Sequence, residues 1–376
     1  MDFLKILAIL LSSTFCLSET NIHTTVSNRT SKILPFLGAG IGVVQFANSV
    51  CTGASNLLGT CYKKRQCSGI AGGFPSGTCA SKLGVCCVVQ LSCSTSSSLN
   101  NTHFVNSGFP APYYGSTSCM HTIKKCNSNI CQVRIDFLTL TLAQPNADGV
   151  CTSDSINIVG GASTVPPLCG ENSGQHIYLN FNGINDINII ISTSSGAAVP
   201  RSWNIKIAQI ACDCPTFAPT GCLMYFTGAT GTIKSFNYGP TANNNLKVNG
   251  LPGTREIANL NYGVCIATQP GYCSIRWTQT SGDPYSFTIT GNTIGLSVDP
   301  GLPTESVSGE ACTTDFIVVS NPTGFAADRF CGNALPGLTS GTKPFVLTVI
   351  TDGNELNDVG NRGFSLSYTQ ARCTGP

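Results

Sequence analysis

The chain has 376 residues, of which 41% are hydrophobic and only 10% charged, with 20 Lys plus Arg against 18 Asp plus Glu. A formal net charge of +2 excludes the basic footprint of a nucleic-acid binder, and the apolar content excludes a disordered chain while sufficing for about two or three cored domains. Twenty-one cysteines exceed what a reducing cytosol permits, so the composition predicts a secreted, disulfide-framed protein.

Residues 1–18 read as a signal peptide, with Lys5 before the apolar run Ile6-Leu7-Ala8-Ile9-Leu10-Leu11 and small residues around Ser18. Loss of Cys16 with that segment leaves an even set of 20 cysteines that pairs completely. Sequons at Asn28 and Asn100 fit the same extracellular compartment. Residues 19–50 form an N-terminal arm. Its apolar stretch from Ile33 to Val50 contains Pro35, Gly38, Gly40 and Gly42, which favour an extended arm over a transmembrane helix. No later segment approaches the length of a membrane span.

Residues 51–87 hold Cys51, Cys61, Cys67, Cys79, Cys86 and Cys87 among many glycines and little apolar material. So small a core needs staples, each contributing about 2–4 kcal/mol. No CxxC pair is present to suggest a zinc knuckle, and spacing alone leaves the disulfide connectivity open. The order, with the adjacent pair Cys86-Cys87 last, resembles the clip modules of arthropod secreted proteins. That resemblance implies Cys51–Cys86, Cys61–Cys79 and Cys67–Cys87.

A repeat fills the rest of the chain. Cys151-Thr152-Ser153-Asp154 returns as Cys312-Thr313-Thr314-Asp315, Cys169-Gly170 as Cys331-Gly332, and the segment Trp203 to Cys212 as Phe364 to Cys373. The offsets are 161, 162 and 161 residues. Two homologous domains, 93–212 and 222–373, therefore follow one another. In each the last strand alternates: Trp203, Ile205 and Ile207 in the first, Phe364, Leu366 and Tyr368 in the second. Turn signals such as Asn146-Ala147-Asp148-Gly149 and Asp352-Gly353-Asn354 punctuate the strands. The fold class expected is all-β: two tandem antiparallel, jelly-roll-like sandwiches preceded by a small disulfide-rich module.

The residues Asn106-Ser107-Gly108-Phe109-Pro110, Cys119-Met120-His121-Thr122-Ile123, the Cys-x-x-Asp at Cys151 and the Cys-Gly at Cys169 resemble the opening and the second disulfide of a CUB domain. The second copy resembles it more loosely, through Cys222, the stretch Gly231 to Tyr238 and the stretch Asn261 to Ile266. The whole is similar to arthropod secreted proteins with a clip-like module before two CUB domains. The family pairing implies Cys93–Cys119 with Cys151–Cys169, and Cys222–Cys265 with Cys312–Cys331. Subtraction then pairs Cys131–Cys212 and Cys273–Cys373 as equivalents, and leaves Cys126–Cys214.

Catalytic sets are missing from the sequence. No histidine follows His176, and neither a G-x-S-x-G elbow nor an H-E-x-x-H motif occurs. No enzyme is expected. His121 reads as a packed strand residue, and His176 as one facing outward. Calcium is the remaining chemistry, because many CUB domains hold one ion with a Glu, the Asp of Cys-x-x-Asp and an Asp from a late loop, all hard oxygen donors. In the second domain Asp315 and Asp352 match that resemblance, with Glu305 or Glu310 as the third group. In the first, Asp154 matches, but Ser192 to Val199 offers no late carboxylate. The function expected is extracellular, non-catalytic binding of protein or glycan. The alternatives are a non-enzymatic regulator of a clip-protease cascade and a structural component of matrix or cuticle. Ligand and oligomeric state are not written in the sequence.

Overall fold

In a computed structural model the described residues are 46–54, 56–195, 199–296 and 306–373. The signal peptide, most of the arm, Asn28 and Glu305 lie outside them. The first repeat packs two four-stranded layers face to face. One layer orders Thr102–Val105, Ser202–Ala211, Ile130–Thr141 and His176–Asn180; the other orders Thr95–Ser97, Thr117–Ile123, Ile187–Thr193 and Ser155–Val159. Period-two alternation sends Val133, Ile135 and Phe137 of one sheet, and Ile187, Ile189 and Ile191 of the other, into a shared core where all six are 0% exposed.

The second repeat reproduces this order strand for strand. Thr230–Lys234, Gly363–Arg372, Tyr272–Gln279 and Leu338–Ser340 make one layer. Cys222–Phe226, Asn261–Ile266, Phe345–Ile350 and Phe316–Val319 make the other, extended by Arg329–Gly332 and Ser306–Ser308. Phe364, Leu366 and Tyr368 are buried, as are Trp203, Ile205 and Ile207 at the equivalent places.

The sheets depart from a purely antiparallel expectation in equivalent places. Thr95–Ser97 runs parallel to Thr117–Ile123, and Cys222–Phe226 runs parallel to Asn261–Ile266. In each copy the chain visits the opposite sheet between these two strands, which supplies the long crossover that a parallel pair requires. A disulfide pins each pair, Cys93 to Cys119 and Cys222 to Cys265. Others join Cys131 to Cys212, Cys151 to Cys169, Cys273 to Cys373 and Cys312 to Cys331.

The cysteine-rich segment is bridged Cys51 to Cys86, Cys61 to Cys79 and Cys67 to Cys87. It is not a separate bead. Its strand Gly84–Leu91 pairs in parallel with Thr102–Val105, so its sheet continues into the first sandwich. Across this seam the His103 imidazole donates from Nε2 to the Leu58 carbonyl at 2.9 Å.

Candidate metal centre

Three carboxyl groups converge at one end of the second sandwich, with a fourth, that of Glu256, buried beside them. Asp315 stands immediately before the strand Phe316–Val319, just after Cys312. Glu355 and Asp358 lie on the loop that leaves the central strand Phe345–Ile350. One oxygen from each of these three sits within 4.8 Å of the others. Glu256, on the segment 254–258, stands outside that 4.8 Å group but close enough to feel the charge of all three. Exposures are 0% for Asp315, 2% for Glu256, 4% for Glu355 and 5% for Asp358.

Few donors satisfy these groups. Asp315 Oδ1 accepts the Asp352 N–H at 2.7 Å, and Asp358 Oδ1 accepts that of Gly291. Both oxygens of Glu256, Oδ2 of Asp315 and Oε1 of Glu355 are buried with no hydrogen-bond partner among the described residues. Burial, then mutual repulsion, pushes the Glu256 carboxyl well above its ordinary range. Burial, against a main-chain hydrogen bond, raises Asp315 to about 7, and burial with the neighbouring carboxylates raises Glu355 to about 8. A cluster of like charges in low dielectric is costly unless protonated or matched by a cation. The donors are all hard oxygens, with neither imidazole nor thiolate in the cluster, which suits Ca²⁺ with its six to eight oxygen ligands rather than a softer metal. Lys247 sits beside the cluster, where its ammonium donates to the main-chain carbonyl of Glu355.

Of the residues expected from the sequence, Asp315 is in this centre and Asp352 is not a side-chain member of it. The Asp352 carboxylate accepts the Asn354 N–H at 2.7 Å, closing an Asx turn, and its main-chain N–H donates to Asp315. Glu305 lies outside the described residues, and Glu310 is exposed on a 3-10 turn. Sequence reasoning missed Glu256, Glu355 and Asp358. The spacing Asp352-x-x-Glu355-x-x-Asp358, an acid-rich loop in an acid-poor chain, was available as a signal for two of them. Nothing local marks Glu256.

The equivalent position in the first sandwich is filled differently. Arg201 meets Asp154 in a two-pronged pair, Nε to Oδ2 at 2.7 Å and Nη2 to Oδ1 at 2.9 Å, and both side chains are 0% exposed. The N–H groups of Ala143 and Ser194 also donate to this carboxylate. The guanidinium supplies the positive charge that Asp154 needs, and its lone pairs are taken.

The described histidines are packed into the interior. His121 is 1% exposed, stacks on Phe104 and contacts the Thr95 hydroxyl at 2.9 Å; burial lowers it to about 4. His176 corrects the expectation of an outward-facing residue. It is 6% exposed because the second domain covers its strand, with its Nε2 at 2.9 Å from the Tyr225 carbonyl and its ring edge-on to Phe226.

A CUB-domain family model matches residues 93–207, and an animal CUB-domain model matches residues 219–371. No curated protein matches the chain. Among solved structures, the CUB1-EGF-CUB2 domains of rat MASP-1 are 14% identical, over 75% of this chain and 99% of that one, at a TM-score of 0.25. The MASP-1 CUB2 domain bound to Ca²⁺ is 21% identical, over 31% of this chain and 98% of that one, at a TM-score of 0.26. The extracellular region of zebrafish Gpr126/Adgrg6 is 14% identical, over 74% of this chain and 36% of that one, also at 0.26. Taken together, the two family matches span more than half of the sequence, and with the duplicated sandwich they establish that the chain belongs to the CUB-domain family, carrying two CUB domains in tandem.

Proposed function

We propose that the chain is a secreted, non-catalytic binding protein whose two CUB sandwiches, domains 93–212 and 222–373, present their loops to an extracellular protein or glycan, and whose second domain holds one calcium ion. The observation that carries the calcium reading is the set of buried carboxylate oxygens of Glu256, Asp315 and Glu355 with no hydrogen-bond partner. Such groups are stabilised by a coordinated cation and destabilised without one. CUB domains are non-catalytic modules that commonly mediate protein binding, and no helix among the described residues is long and apolar enough to cross a membrane. The stapled segment 51–87 is the clip-like module of this reading, and Cys126 with Cys214 makes its remaining bond. Asn28 and Asn100 are its glycan acceptors; the Asn100 amide also donates to the Gln209 carbonyl at 3.2 Å.

Calorimetric titration of the intact chain with CaCl₂ tests the site. One ion per chain is expected, with binding abolished in Glu256→Gln and Asp315→Asn; no heat with millimolar calcium overturns it. Capture from the native extracellular fluid on the immobilised chain, with and without chelator, tests the binding role. Recovery of a protein or glycoprotein whose retention falls on chelation supports it, and recovery of nothing in either condition counts against it.

A further inference from the structure

The segment that carries Glu256 is held from two sides. On its own domain, the Arg255 N–H donates to the Asn361 carbonyl at 2.7 Å, and the Thr351 hydroxyl donates to the Ile257 carbonyl at 2.7 Å. Both tie it to the loop of Glu355 and Asp358. The other side is supplied by the first domain. The Thr254 N–H donates to the Ala147 carbonyl at 3.1 Å, and the Ala258 N–H to the Gly149 carbonyl at 3.0 Å, so two interdomain bonds bracket Glu256 in sequence.

The first-domain segment making these bonds is a pre-shaped turn. Asn146 Oδ1 accepts the N–H groups of Asp148 and Val150, and Gly149 has a φ of +73°. A Cβ on Gly149 would lie 2.5 Å from the Glu256 carbonyl oxygen, so only glycine permits this approach. Asn243, 1% exposed, donates through Nδ2 to the carbonyls of Pro145, Asn146 and Thr254 together. At the rim, Lys247 reaches the Glu355 carbonyl and lies 3.8 Å from Asp148 of the first domain.

We infer that the cation centre of the second domain is completed by the first: residues 145–149 position Glu256, so that cation affinity and the packing of the two domains are coupled. This rests on the calcium reading above and goes beyond it, because that reading needs only the second domain. Residues 145–149 touch no carboxylate oxygen of the centre; they act through the backbone on which Glu256 stands. By linkage, whatever loosens the joint weakens the ion, and the ion tightens the joint by the same factor.

Two measurements on the intact chain decide it. Hydrogen exchange is followed with CaCl₂ and with chelator; calcium is expected to slow exchange across 144–150 as well as across 254–258 and 351–361. Calcium titration of Gly149→Val is expected to show affinity about tenfold weaker than the unsubstituted chain, in the range of typical site-to-site couplings. Unchanged exchange across 144–150 overturns the coupling even if Gly149→Val fails to fold, and unaltered affinity in a folded Gly149→Val overturns it as well. Absence of calcium binding to the unsubstituted chain is distinguishable from both, since it removes the site itself and the coupling with it.

Discussion

Asp154 and Asp315 occupy the same place in the repeat and face the same electrostatic problem, a carboxylate buried at one end of a sandwich. In the first domain the answer is covalently built in, as Arg201. Removing one partner of a buried, hydrogen-bonded ion pair strands the other charge, so Arg201→Ala is expected to lose about 3–5 kcal/mol, read from denaturant unfolding. In the second domain Asp315 lies among other carboxyls instead, and their protonation sets the pH dependence. Asp315 and Glu355 are raised to about 7 and about 8 when folded, above the ordinary value near 4 that the unfolded chain shows. Between those limits the folded state holds protons that the unfolded state releases, so calcium-free stability falls as pH rises from about 4 to about 8. Thermal unfolding in chelator should therefore show a melting temperature that declines from pH 5 to pH 8. Added calcium should raise it more at pH 8 than at pH 5, where protons compete for the same oxygens. A flat profile in chelator would contradict the clustered carboxyls.

At the scale of elements, the strand Gly84–Leu91 matters beyond the module that its cysteines staple. It covers the edge strand Thr102–Val105, whose residues are all buried in part because this neighbour is present. An uncovered edge offers unpaired N–H and C=O groups to other chains. A chain beginning at Ser92 is therefore expected to melt lower than the intact protein and to associate with increasing concentration, as measured by calorimetry and light scattering. An unaltered melting temperature would mean that the seam contributes nothing. The alternation of Trp203, Ile205 and Ile207 made the last strand readable, because a period of two leaves no other way to bury one face. The parallel first strands were unreadable, since pairing direction depends on where the intervening chain travels, and that is not encoded in either strand.

For the whole molecule, the joint between sandwiches is a packed interface rather than a tether. Asn237, 0% exposed, gathers the Glu171 N–H on its Oδ1 and donates to Gln144 and to the Arg255 carbonyl. The sequence places His176 on an outward face of its strand, and the second domain covers that face through Tyr225 and Phe226. The amino-acid sequence by itself determined the duplicated all-β architecture and its disulfide frame, through cysteine spacing and period-two patterns that are local or strictly repeated. It also marked Asp315, whose place in the repeat is fixed by the neighbouring cysteine. Only the tertiary structure decided which carboxyls join Asp315, because Glu256 is brought in from a distant segment by hydrogen bonds to both domains, and because the Asp352 carboxylate is consumed by its own turn. Charges meet in space according to how loops are held, and the holding bonds here run largely between main-chain atoms, which carry no residue signature.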